Sequence, residues 1–600
     1  MSRQKTPLIL CCLWLAASVQ ASPVAVLTQH NDNGRTGMNL QETILNTNNV
    51  NTNSFGLLYT RAVDDQIYAQ PLIATNVNIP GAGAHNLVIV CTVNDSIYAF
   101  DADDPTVTAA YWTNRLISPI NNIVAPRNTD MTGACSGNYK DFSGAFGIVG
   151  TPVIDPASST LYLVARTKEN LTNFVQRLHA LDLTTGLEVS NSPVVIAVTN
   201  SGVIFDPFKQ NQRPGLLLVN GYVYITWSSH CDWTPYHGWV VGYNTSNLLQ
   251  APISFNANPS GSQAGIWMSN QGPAADTNGN IYISTGNGTF DGSVNFGESF
   301  LKLTRSGGNL TRASWFTPFN WSSLNSSDSD LGSGGLLLVP GTSLLFSGGK
   351  NGGLYLVNRD NMGGVGATAD TNIVQSWNIG SHQIHGGAVW WDAPNGSYAY
   401  IWPATSDHLR QYKFDRVMGK FASTNVYSQN AGVGGSGQPG GILSLSANGT
   451  NANSGIVWAS VNTLSSANQA VVAGTLHAYN ALNVATELWN SDMLSSRDGL
   501  GNYAKFVAPT VANGKVYMAT FSNRLNVYGL LPLPTLSALN NGSSLIVSWP
   551  TNSFPGYHLQ STLNPVAPWS NDSHTVLITN GNAQVTIPTS NAETFYRLIR

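Results

Sequence analysis

APTVANGKVYMATFSNRLNVYGL (508–530) holds one whole copy of a pattern that fills most of the chain. An apolar strand opens after Pro509, Asn513-Gly514 turns it, KVYMATF alternates as a second strand, and LNVYGL follows as a third. Asn-Gly between alternating apolar runs is a strong hairpin signal. The same opening recurs upstream as QPLI (70–73), TPVIDP (151–156), RPGLLLVNG (213–221), GPAADTNGN (272–280), SGGLLLVPG (333–341), HGGAVWWD (385–392) and PGGILSLSANG (439–449). Second strands follow each opening, as in TLYLVAR, YVYITWS and NIYISTG. Third strands include HALDLTTG (179–186) and LHAYNALN (476–483). Openings and third strands both count eight, about 50–80 residues apart, above the ~40–50 of compact propeller repeats. The excess length is inserted loop.

Some units add a fourth strand with an aromatic, as in AAYWTN (109–114) and TELWNS (486–491), but the last unit stops at Leu530 without one. FGLLYTRAV (55–63) has that strand's character and precedes the first opening. Pairing it with the last unit closes the ring and removes both free sheet edges. The pattern predicts an all-β chain: an eight-bladed β-propeller, seven being the other count allowed, closed by an N-terminal strand. After LLPLPT, short alternating strands such as SLIVSWP (544–550) and AQVTIP (583–588) predict a small C-terminal β-sandwich-like domain. The expected division is a signal peptide at 1–21, a propeller at 22–532 and the sandwich at 533–600.

Composition narrows function by exclusion. Only 10% of residues are charged and the net charge is −4, so a nucleic-acid partner lacks its basic footprint. Arg3 and Lys5, the apolar run PLILCCLWLAASV and Val19-Gln20-Ala21 read as a cleaved secretory signal, which predicts a secreted or periplasmic monomer. No later stretch is long and apolar enough for a transmembrane segment. Export leaves Cys91, Cys135 and Cys231 where a disulfide persists.

If strands run A to D from the axis outward, the D–A and B–C connections of all units share one face. Cys135 and Cys231 both fall there on adjacent units, which predicts a Cys135–Cys231 disulfide, with two free thiols as the alternative. Cys91, in an apolar strand, reads as a small buried hydrophobe. The same face gathers the ligand-binding candidates Gln70, Arg213, His230, Trp267, Asn270, Gln271, Lys350, His385, Asp407 and His408. Amides, cations, imidazoles and an aromatic suit a polar or anionic ligand. Each has a plainer reading: His230 braces the cysteine loop, and Lys350 sits in a solvated turn. His382 and His385 lack a carboxylate partner, and no set of residues has metal-ligand spacing. No catalytic residue is assigned.

HALDLTTG, LHAYNALNVATELW and NGKVYMATFSNRLNVYG resemble the pyrroloquinoline-quinone (PQQ) repeat of eight-bladed quinoprotein alcohol dehydrogenases and related cofactor-free propellers. The resemblance covers about residues 55–530. QHNDNGRTGMN (29–39), QNQRPGLLL (210–218), SHCDWTPYHGW (229–239) and LVNRDNMGG (356–364) resemble exported bacterial PQQ-like proteins, and the tail resembles a fibronectin-III-like module. Two functions follow. The first is a non-catalytic module that binds an extracellular glycan, small polar molecule or protein. The alternative is a PQQ- and Ca²⁺-dependent dehydrogenase oxidising an alcohol or sugar, in which Arg213 and Lys350 would hold carboxylates and Trp267 the ring. The dehydrogenases carry a disulfide between adjacent cysteines, whereas no mature cysteines are adjacent here. A polysaccharide hydrolase or lyase is a third reading, without an assignable acid pair.

Overall fold

The structure is a computed structural model that describes residues 22–404, 407–428, 437–463, 465–551, 556–566, 568–588 and 594–599. The expected signal segment lies outside them. The regular structure of the described chain is nearly all strand, and none of its helices is long and apolar enough to cross a membrane.

Eight sheets of four or five strands follow one another among the described residues. Their innermost strands are Leu72–Ile79, Val153–Asp155, Leu217–Val219, Ala274–Ala275, Leu337–Leu338, Val389–Ala393, Ile442–Ser446 and Thr510–Ala512. Each sheet packs face to face on the next through an apolar layer. The last packs on the first through Tyr517 and Val527 against Val88 and Phe100, so the ring closes into a propeller. Phe55–Ala62 pairs antiparallel with Arg524–Leu530, as the sequence predicts for the closing strand. Alternation along a strand explains the Trp390-Trp391 pair. Trp390 fills the layer toward the fifth sheet and Trp391 the layer toward the seventh, and both are fully buried. Each such side chain contributes roughly 1.5–3 kcal/mol by leaving water.

The tail forms two further sheets, Ser537–Asn540 with Ser544–Pro550, Val576–Thr579 and Asn582–Pro588, and His558–Thr562 with Ser570–Asn571 and Phe595–Ile599. They share a core of Val547, Trp549, Leu559 and Val585.

The segment from Val26 to Asn39 does what no periodicity announces: it runs round the inner rim and bonds each innermost strand in chain order. Val26 exchanges two backbone hydrogen bonds of 2.9 Å with Ile73. The Leu27 carbonyl accepts from Ile154 N–H (2.9 Å), and Asn33 Nδ2 donates to the Leu218 carbonyl (2.9 Å). Carbonyls of Asn33, Gly34, Thr36 and Gly37 then accept from Ala275, Leu338, Trp390 and Leu445 at 2.7–2.9 Å. Asn39 Nδ2 ends the circuit at the Val511 carbonyl, 3.0 Å away. Gly37 must be glycine: its φ is +68°, and a Cβ there would lie 2.4 Å from Val389 Cγ1.

Arg35 stands at the middle of this plug, fully buried. Its guanidinium donates to the carbonyls of Pro273 (2.9 Å), Gln29 (2.6 Å) and Leu216 (3.1 Å) and to Thr28 Oγ1 (2.8 Å). Burial pulls its pKa down only to about 10, with Asp32 opposing, so it stays charged. Four acceptors from three segments, the plug itself and the approaches to the third and fourth sheets, converge on one cation. Arg35→Met therefore costs at least ~3 kcal/mol, since each buried acceptor left unpaired costs ~1–3 kcal/mol. The urea unfolding midpoint checks this, and an unchanged midpoint would show that the plug does not hold the ring.

Candidate functional site

Above the plug the D–A and B–C connections enclose a pocket of about 230 Å³. Every lining residue comes from one of those two classes of connection, from Tyr68 before the first sheet to Lys505 and Phe506 before the eighth. Arg213, Trp267, Lys350 and His385 line it. Cys231, Asp232, Asp141, Asp328, Asp330, Ser269, Ser333 and Gln438 line it as well.

One wall is cationic. The Arg213 guanidinium lies 5.3 Å from the Trp267 ring centre and 4.8 Å from that of Phe506, a cation between two π faces. Its Nε is buried without a hydrogen-bond partner, and among the described residues the guanidinium makes no hydrogen bond or ion pair. Burial lowers its pKa, partly opposed by Asp141. Lys505, 5% exposed, donates from Nζ to the Asn468 carbonyl at 2.6 Å. Burial and Arg213 bring its pKa down to about 8, with Asp141 pulling the other way.

The opposite wall is acidic. Lys350 Nζ sits 2.5 Å from Asp330 and 3.2 Å from Asp328. Burial works against its charge, but the two carboxylates outweigh burial and raise its pKa. Asp330 also accepts from Asn287 N–H at 2.9 Å. Behind it, fully buried Glu298 accepts from Leu331 N–H at 2.6 Å through Oε2, while its Oε1 has no partner. Burial, and then Asp330, push its pKa well up. Asp232 accepts a hydrogen bond from the Tyr236 hydroxyl. Its pKa rises to about 6 through burial, with Asp330 and Asp328 adding to the rise and Lys350 opposing it.

The floor is strained. Met268, Ser269 and Asn270, directly after Trp267, hold φ of +43°, +41° and +69°. Non-glycine residues pay about 1–3 kcal/mol each for such conformations, which cluster at functional sites. The strain is held by bonds across the ring. Ser269 Oγ donates to the Ser333 carbonyl and Ser333 Oγ to the Ile384 carbonyl, both at 2.6 Å. Asn270 Nδ2 reaches the Tyr68 carbonyl at 2.7 Å.

The remaining expected residues lie elsewhere. Gln70 and Gln271 are buried beneath the pocket, bonding Thr510 Oγ1 (3.0 Å) and the Leu336 carbonyl (2.8 Å), and Asn270 ties the floor as above. His230 is in the core, 2.8 Å from the Tyr139 hydroxyl and between Tyr139 and Phe146. Burial drives its pKa well down. Asp407 is occupied by Arg410, which donates from Nε (3.1 Å) and a terminal nitrogen (2.7 Å). His408 packs near Tyr427 outside the pocket. Cys135 and Cys231 form a disulfide with Cα atoms 5.5 Å apart, and Cys91 is a buried free thiol. The sequence reading missed the catch of acids and cations in long D–A loops: Asp141, Asp328, Asp330 and Lys505. Their signal was available, because those loops belong to the ligand face.

No family model matches the chain, and no curated protein matches it either. Solved structures do. Quinohemoprotein alcohol dehydrogenase ADHIIG from Pseudomonas putida HK5 is 14% identical, with a TM-score of 0.53 over 86% of this chain and 84% of that one. A europium-containing methanol dehydrogenase is 12% identical, with a TM-score of 0.54 over 84% of this chain and 98% of that one. The chain shares the propeller fold of these quinoproteins.

A shared fold does not carry a shared cofactor. PQQ needs cations for its carboxylates, a free aromatic face and a divalent ion to polarise a quinone carbonyl. Arg213 and Lys505 meet the first need. The second is met poorly, because Arg213 already covers the ring of Trp267. For the third, no group of three or more His, Cys, Asp or Glu is arranged for a metal among the described residues, and the Lys350 ammonium bridges the Asp328–Asp330 pair. The residues present do not fit the quinone–metal pair.

The disulfide joins the D–A loop before the second sheet to the B–C loop of the third and holds Cys231 and Asp232 at the pocket wall. Replacing both cysteines by serine removes a crosslink spanning 96 residues, expected to cost ~2–4 kcal/mol. Denaturant unfolding of the oxidised protein and the double variant measures the difference. Equal midpoints would show that the loops stand without the bond.

Proposed function

We propose that the protein is an exported, non-catalytic binding module: an eight-bladed propeller at 22–532 with a fibronectin-III-like tail at 533–600. Its axial pocket takes an extracellular ligand that carries a carboxylate, as a small molecule or an acidic unit of a glycan. The observation that carries this reading is the Arg213 guanidinium, fixed between Trp267 and Phe506 with no acceptor of its own. A half-buried cation whose buried Nε has no acceptor is costly unless a ligand supplies one. Clamping removes the side-chain entropy that a mobile arginine would lose on binding. Lys505 adds a second positive charge beside it. The aromatic, amide and hydroxyl lining suits sugar contacts.

D-glucuronate titrated into the mature protein should quench tryptophan fluorescence saturably and raise Tm, with D-glucose at least about tenfold weaker. Arg213→Gln should abolish the difference. Affinity should fall as pH rises through about 8, where Lys505 loses its charge between Arg213 and Asp141. Lys505→Arg should keep affinity flat over the same range. PQQ with and without Ca²⁺ is the opposing arm: saturable binding that Ca²⁺ strengthens would overturn the proposal in favour of a quinoprotein dehydrogenase.

A further inference from the structure

We propose that the ligand is a zwitterion, carrying an ammonium group as well as the carboxylate. This inference rests on the reading of the pocket as an acid-binding site. Arg213 and Asp232 are opposite charges lining one small cavity, yet no ion pair joins them. Asp232 has the Tyr236 hydroxyl as its hydrogen-bond donor and no cation within ion-pair distance among the described residues. Lys350, the cation on that side, is committed to Asp328 and Asp330.

The charges are segregated. Asp232, Asp328 and Asp330 face one ammonium, Lys350, on the acidic wall, whereas Asp141 acts on both Arg213 and Lys505, with Asp330 acting on Arg213 as well. A simple anion gains at Arg213 and loses by repulsion from the acidic wall. A ligand with both charges complements both walls, and the like-charge wall makes the simple anion the weaker ligand of the two. The burial-driven rise at Asp232 points the same way, because a ligand ammonium would supply the counter-charge that Lys350 does not. The volume, about 230 Å³, lies below the ~300–1,000 Å³ of drug-sized pockets, so the ligand is one ring or a short chain. Amino sugar acids and amino acids have this chemistry.

Two matched pairs test the inference by isothermal titration: muramic acid against N-acetylmuramic acid, and 6-aminohexanoate against hexanoate. In each pair only the ammonium differs in charge. The intact protein should prefer the free amine by about tenfold in at least one pair. Asp232→Asn should bring that preference to about threefold or less while the acid-only partner still binds, and Asp232→Glu should restore it. The preference should also shrink below about pH 6, as Asp232, facing Asp328, Asp330, Lys350 and Tyr236, takes up a proton. Equal binding within both pairs, or a preference that survives Asp232→Asn, overturns the zwitterion while leaving the acid site standing. If none of these acids and no glucuronate binds, the acid-site reading falls with it.

Discussion

Eight inner strands around one axis leave a ring of inward-facing backbone groups, and buried N–H and C=O groups must find partners. Residues 26–39 meet that demand by giving each inner strand at least one bonding group, from Ile73 round to Val511. The circuit requires a chain that bends at nearly every residue. His30, Asn31, Arg35 and Gly37 all take positive φ, and the Arg35 guanidinium gathers the Gln29 carbonyl of this segment with the Leu216 and Pro273 carbonyls beside it. The rest of the molecule depends on this plug. It ties all eight inner strands to one segment.

That pocket is unlike a structural core. Two of its lining residues keep a buried atom without a partner, Arg213 Nε and Trp267 Nε1, as do Asn287 Oδ1 and Glu298 Oε1 behind it and other buried atoms elsewhere in the chain. Native interiors leave few such atoms, and each one calls for a reason. Strain at 268–270 and opposite charges held apart fit the proposed reading, in which stability is given up where a ligand would be received. The Lys350 pair with Asp328 and Asp330 shows the opposite treatment, in which a buried cation is fully compensated. On the proposed reading, the contrast between Lys350 and Arg213 marks the binding group more sharply than pocket shape does.

The fold was legible because it is written in local periodicity. Strand–turn–strand units repeat, and FGLLYTRAV supplies the missing outer strand of the last one. The connection rule placed Arg213, Trp267, Lys350 and His385 at the pocket and set Cys135 beside Cys231. It could not tell lining from support, since Gln70, Asn270 and Gln271 sit on the same face one layer down and spend their amides on neighbouring strands. Asp407 looked free until Arg410, three residues on, folded back onto it. The plug was illegible because QHNDNGRTGMN has no period. Local turns fold it, but its path is set by partners on inner strands far apart in sequence.

A crystal structure of the mature protein, determined with and without D-glucuronate, tests the central claim directly. The account predicts a ligand-free Arg213 still between Trp267 and Phe506, and a bound carboxylate within ~3 Å of its guanidinium nitrogens. An Arg213 already paired with Asp141 in the ligand-free crystal, or a ligand seated away from it, would contradict the account.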